Sequence, residues 1–305
     1  MLRSWFSAFG AALVALSAAL PALGQEQEAE AVPLAGTLKK IKDTGVVSVG
    51  YREDAFPFSY LNANKVPIGY SIDLCQEIVE TISAELDGTE IKVTFRPVTA
   101  GTRMQAVASG EIDLECGSTT NNTARQKEVG FSPIFFVSGT KLLVRRADKI
   151  RSHRDLRNKT VVVTAGTTNE EALKVLNDKQ KLGIKLVAVK DHDESFKLFT
   201  SGAADAFATD DVLLYGWIAR EKKESEYQVV GEYLSYDPYG IMYRRNDPQF
   251  AAVVDRTFHL LAETRELEWI YKQWFQSRLP TGENLALPMS AQLREIFRTL
   301  GLPEE

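Results

Sequence analysis

The chain opens on an apolar run. Trp5 to Leu20 is interrupted only by Ser and Gly, with Arg3 ahead of it and Pro21-Ala22-Leu23-Gly24-Gln25 behind. A positive start, an apolar stretch of this length and small residues at Ala22 and Gly24 predict a cleaved signal peptide over 1–24. The run is short for a membrane anchor, and its small-residue exit is wrong for one. Residues 25–35 are polar and read as a loose leader. From there the pattern alternates. Thr37 to Lys42 reads as a short helix capped by the Thr37 hydroxyl, and Val46 to Gly50 as a strand. Ile72, Cys75, Ile78, Val79 and Ile82 recur at spacings of three and four, which predicts a helix over 71–86. A strand over 91–96, a helix over 103–109 and a strand over 112–115 follow. The second half repeats the alternation, with strands at 161–163, 185–189 and 206–208 and helices at 170–176, 195–201 and 212–219. A helical stretch over 250–276 is broken near Arg265, and a last short helix spans 290–300. Repeated strand-helix units predict an α/β fold with parallel-type sheets, and the series runs twice, so two similar lobes are expected.

Composition narrows the class. Thirty-six basic against forty-one acidic residues give a net charge of −5 without any Lys/Arg block, which excludes the electrostatic footprint of a nucleic-acid binder. After residue 24 no segment approaches the ~20 apolar residues of a membrane span, so a soluble exported protein is expected. Cys75 falls in a helical pattern and Cys116 at a strand end. They read as two small buried residues, with a disulfide as the alternative that an oxidising compartment permits. His153, His192 and His259 lie far apart with no metal-ligand spacing, so no metal is expected. No Gly-x-Ser-x-Gly elbow or phosphate loop is present, Ser138-Gly139-Thr140-Lys141 is too short a match to carry weight, and no cofactor is expected.

Open α/β sheets bind ligands where strands end and helix N-termini expose free amides. Arg52, Arg103 and Arg125 fall at such positions, as do Ser118, Thr120, Thr167, Thr168 and Asp210. Guanidinium grips carboxylate bidentately, hydroxyls add donors, and a carboxylate accepts an ammonium. Singly, each residue reads as a surface ion pair or a helix cap. Together they describe a ligand with two carboxylates and one ammonium, an acidic amino acid. The chain is rich in holding groups and poor in nucleophiles, so a binding protein is expected rather than an enzyme.

Pro57-Phe58-Ser59-Tyr60, Gly69-Tyr70-Ser71-Ile72-Asp73, Glu115-Cys116-Gly117-Ser118-Thr119-Thr120-Asn121-Asn122 with Arg125, and Lys190-Asp191-His192 resemble the periplasmic glutamate/aspartate-binding proteins of ABC importers, within the family 3 solute-binding proteins. The resemblance implies a type II fold, two lobes joined by a two-crossing hinge near 137–142 and 233–239. Lobe 1 would be 36–138 plus 237–305, and lobe 2 would be 139–236. It implies that Arg125 takes the ligand α-carboxylate, assisted by Ser118, Thr120 and Thr168. Asp210 would take the ammonium, and Arg52, Arg103 and His192 the side-chain carboxylate. It further implies a periplasmic monomer that delivers L-glutamate or L-aspartate to an inner-membrane ABC permease. Close relatives place a serine where this chain has Ala100, so the side-chain subsite loses a hydroxyl unless Thr102 or a water supplies it. Two other classes share the scaffold, a cyclohexadienyl (arogenate) dehydratase-like enzyme and a soluble sensor subunit.

Overall fold

The strand Val46–Tyr51 organises the first sheet. It pairs in parallel with Lys92–Pro97 on one side and Leu114–Cys116 on the other. Met242–Arg244 and Val129–Phe131 then extend the sheet antiparallel, giving five strands. The second sheet repeats this order around Thr160–Thr164, with Lys185–Val189 and Ala206–Asp210 parallel and Thr140–Arg145 and Tyr227–Val230 antiparallel. The expectation of parallel-type sheets is therefore corrected to mixed sheets. Parallel neighbours need a helical crossover, whereas a strand that arrives from elsewhere in the chain can add antiparallel without one. Between the sheets, Phe136–Ser138 pairs antiparallel with Asp237–Tyr239 as a separate two-stranded ribbon.

The computed structural model describes residues 33–304. The expected signal peptide and most of the leader lie outside them. Among the described residues no helix is long and apolar enough to cross a membrane, and no cluster of three or more His, Cys, Asp or Glu is placed to hold a metal ion.

Local sequence accounts for most elements. The helix Tyr70–Glu85 buries Ile72, Leu74, Cys75, Ile78, Val79 and Ile82, the face its spacing predicts. Pro248–Glu263 and Glu266–Phe275 are separate helices because Arg265 adopts a left-handed conformation between them, with φ 64°. The cap of the first helix, Gly36–Thr44, differs from expectation. Thr37 makes no side-chain cap; instead its N–H donates to Asp247 Oδ2 at 2.7 Å, from a residue 210 positions away. A Cβ at Gly36 would stand 2.5 Å from that carboxylate, so glycine is required there.

The first sheet and its helices share one large core in which Phe58, Tyr70, Phe135, Phe136, Tyr239, Tyr271 and Phe275 interleave their rings. The C-terminal helix Ala291–Thr299 inserts Leu293 and Phe297 into it. The second sheet has smaller apolar clusters, one around Val161 and Leu173 and one around Phe199 and Trp217. Cys75 and Cys116 are joined in a disulfide, Cα to Cα 6.3 Å. Reading them as two unpaired buried residues is thereby corrected; their meeting depends on helix Tyr70–Glu85 packing against Leu114–Cys116, which spacing does not encode.

Candidate functional site: a cavity between the two sheets

The first lobe's wall is cationic. Arg52, immediately after Val46–Tyr51, is fully buried. Its Nε and Nη2 donate to the two oxygens of Asp54, both at 2.9 Å, while its N–H donates to Ser59 Oγ at 2.9 Å. Asp54 Oδ2 also accepts from the His192 N–H at 2.7 Å, which ties the first lobe to the start of helix His192–Thr200 in the second. Arg103 begins the helix Arg103–Ser109 and donates through Nη1 to Thr119 Oγ1 at 2.6 Å. Thr119 Oγ1 in turn donates to Glu115 Oε2 at 2.6 Å. Arg125 donates to the carbonyls of Thr120 at 3.0 Å and Gly166 at 3.4 Å, the second of these across the lobes. A Cβ on Gly166, at φ +77°, would come within 3.2 Å of the Ala100 carbonyl, so only glycine lets the loops approach this closely.

The second lobe contributes helix starts and neutral groups. Thr167 caps the helix Thr168–Gln180, accepting from the Glu170 N–H at 3.2 Å. Asn169 Nδ2 donates to Asp210 Oδ1 at 2.8 Å and to Thr140 Oγ1 at 2.7 Å. His192 Nδ1 lies 2.6 Å from Thr164 Oγ1. Asp210 also accepts from the Tyr239 hydroxyl, whereas its neighbour Asp211 bonds Ser138 and Tyr233, so the adjacent carboxylates point apart.

Arg52, Arg103, Ser118, Thr120, Thr167, Thr168, His192 and Asp210 line one small cavity together with Asn169. Arg125 lies next to it, in a more open pocket shared with Gly166, Thr167 and Thr168. Every residue singled out in the sequence is thus brought to one place. Five others there were missed. Glu115 and Thr119 sat inside the quoted motif and Asp54 two residues after Arg52, so proximity could have flagged them. Asn169 follows the threonine pair. Asp237 carried no local signal, because it reaches Thr120 across 117 positions. Thr102 does not replace the missing hydroxyl: its Oγ1 pairs with Thr99 on the exposed side of the loop.

The cavity holds both strongly cationic groups and a buried carboxyl. Burial, with repulsion from Arg125 and Arg52, pushes Arg103 down to about 9, against the opposing pull of Glu115 and Asp54. Burial likewise lowers Arg125. Burial alone would raise Asp54, but the Arg52 guanidinium holds it well below the usual carboxylate range. His192 is lowered to about 4 by burial, reinforced by Arg52 and Arg103, and is neutral near pH 7. Burial and the charge of Asp237 push Asp210 up to about 8. Among the described residues Arg52 Nη1, Arg103 Nε and Glu115 Oε1 are buried without a hydrogen-bond partner. Buried guanidinium groups under such strain favour an anion beside them, and a carboxyl raised this far favours a cation.

Two α/β lobes bridged by a pair of crossing strands, closed over a charged cavity, form the type II periplasmic binding protein fold. The chain belongs to the bacterial extracellular solute-binding proteins, family 3, which it matches over residues 47–277. It is 43% identical to an L-glutamate/L-aspartate-binding protein of Pseudomonas aeruginosa, over 95% of each chain. It is 39% identical to the glutamate/aspartate import solute-binding protein of Escherichia coli K12, over 90% of this chain and 92% of that one. Among solved structures, it resembles an ancestral amino acid-binding protein described as a precursor of cyclohexadienyl dehydratase. That match has a TM-score of 0.67 and 30% identity, and covers 78% of this chain and 99% of the other. The protein is a solute-binding protein of amino-acid transport.

Proposed function

We propose that this protein is an exported, monomeric periplasmic receptor that closes on L-glutamate or L-aspartate and delivers it to an ABC permease in the inner membrane. The observation that carries the reading is the charge of the cavity, with buried Arg52 and Arg103 and the carboxyl of Asp210 in its lining and Arg125 beside it. The names of the similar proteins from Pseudomonas and Escherichia agree with it. The lobes divide at the crossing ribbon, lobe 1 comprising 36–138 and 237–305 and lobe 2 comprising 139–236. Arg125 takes the α-carboxylate and Asp210 the ammonium. Ser118, Thr120 and Thr168 assist Arg125, and Arg103 and His192 face the side-chain carboxylate. Arg52 contributes only through Nη1, because Asp54 occupies its other edge. Thr167 shapes the wall as a helix cap, and the signal peptide over 1–24 directs export.

The mechanism follows from which lobe holds which charge. A dicarboxylate neutralises the buried guanidinium groups, and its ammonium compensates Asp210, so the closed state gains interactions the open state lacks. An amide side chain would leave guanidinium charge buried and unpaired, which disfavours glutamine and asparagine. Titration calorimetry on ligand-stripped protein tests this with the two acids and their amides. Both acids bind, and Arg125→Ala weakens them by about 100-fold or more, the scale of breaking a buried charge pair. Arg103→Ala costs an acid about tenfold more than it costs the matching amide. Binding of the amides alone, or of neither pair, overturns the assignment.

A further inference from the structure

Glycine is, after proline, the poorest helix former, yet Gly216 sits in the middle of the helix Asp211–Glu221. Its φ is not positive, so backbone conformation does not call for glycine there. Space does. A Cβ on Gly216 would stand 2.9 Å from both the carbonyl oxygen and the Cδ1 of Phe56 in the first lobe. Phe56 has little room to give way, because its ring is buried edge-on against Tyr60, 4.8 Å between centroids. The contact joins a second-lobe helix to the short hairpin in which Asp54–Ala55 pairs with Ser59–Leu61. The same hairpin reaches the second lobe again through Asp54, which accepts the His192 N–H at 2.7 Å. Gly216 itself does not line the ligand cavity.

We propose that Gly216 is a positioning residue: having no side chain, it lets the helix Asp211–Glu221 seat on Phe56 as the lobes close, and this seat sets how long the closed state holds its ligand. Any added side chain props the lobes apart at this point. Because the contact is remote from the ligand, the penalty falls on closure and is the same for every ligand. A ligand meets the open lobes before they close, so its arrival is untouched and its escape is accelerated. Gly166 differs, since its φ of +77° already asks for glycine. The inference holds for whichever amino acid the cavity takes.

The test replaces Gly216 in the whole exported protein by Ala and, as a larger step, by Val. Calorimetry and stopped-flow association use L-glutamate and L-aspartate. Gly216→Ala weakens both by about tenfold, equally to within about twofold, and the loss lies in the dissociation rate. Gly216→Val weakens them further. Thermal unfolding of ligand-free Gly216→Ala comes no earlier than that of wild type, because alanine favours the helix. Unchanged affinity would overturn the proposal, as would a loss that differs between ligands, which would place Gly216 in the binding site. Early unfolding of the ligand-free variant would also overturn it, because Gly216 would then meet Phe56 in open and closed states alike. Should wild type bind neither acid, the acidic-ligand reading alone falls, and the tightest binder among the other common amino acids carries the comparison.

Discussion

In the first sheet the strand Val46–Tyr51 runs into a fully buried arginine, while in the second the equivalent strand Thr160–Thr164 runs into Ala165-Gly166-Thr167-Thr168, which carries no charge. Strand order is the same on both sides, yet the first lobe holds Arg52, Arg103, Arg125, Asp54 and Glu115, and the second brings Asp210, one neutral histidine and the starts of two helices. The difference teaches that duplicated topology places ligand groups, whereas unequal side chains give the lobes unequal tasks. On the proposed reading the first lobe is a charged seat, preorganised by mutual contacts, and the second is a lid that supplies caps, close backbone approach and one acceptor.

If the first lobe is the preorganised one, its staple matters most for stability. The Cys75–Cys116 bridge spans 41 positions and ends beside the Gly117–Thr120 segment of the site. Chain-entropy reasoning gives about 4 kcal/mol for a loop of that size. The Cys75→Ala, Cys116→Ala double variant should lose about 3–4 kcal/mol in urea unfolding. A loss below about 1 kcal/mol would show that the large aromatic core holds the seat unaided.

The second lobe's acceptor gives a smaller, pH-dependent effect. Asp210 has its carboxyl raised from 3.8 to about 8, chiefly by burial. A raised acid favours the folded state below its unfolded value, and that contribution is lost as pH rises through its folded value. An ammonium needs the charged carboxylate, so binding below about pH 8 expels a proton. Amino-acid affinity therefore rises with pH between about 6 and 8, by at most about tenfold per unit. His192, near 4, stays neutral across this window. Calorimetry in buffers of different ionisation enthalpy detects the released proton, and Asp210→Asn should abolish both the release and the slope. A flat profile in wild type would place the acceptor elsewhere.

The smallest expected effect lies where the lobes touch. Ala100 is buried against Gly166, at the position where the family resemblance implies a serine. Restoring the hydroxyl with Ala100→Ser should tighten acidic ligands by about two- to tenfold, one net hydrogen bond. Unchanged affinity would assign Ala100 to lobe packing alone.

Much of this was legible in the sequence. Helix Arg103–Ser109 and strand Lys185–Val189 fall within their predicted bounds, because local periodicity and short-range propensity decide them. The residues that line the cavity were singled out because strand-end residues in an α/β fold converge by topology. What local pattern could not supply was partnership over long separations. Asp247 caps a helix 210 positions away, Cys75 meets Cys116, Asp54 bonds the His192 amide, and Asp237 gathers threonines from both lobes. Nor could it foresee the antiparallel strands, which join each sheet from distant parts of the chain. The sequence by itself determined the elements, the charged inventory and the family, because these depend on residue type and near neighbours. Tertiary structure decided which hydroxyl donates, which guanidinium edge is already occupied and which carboxyl is raised, because these depend on burial and on partners that only folding brings within about 3 Å.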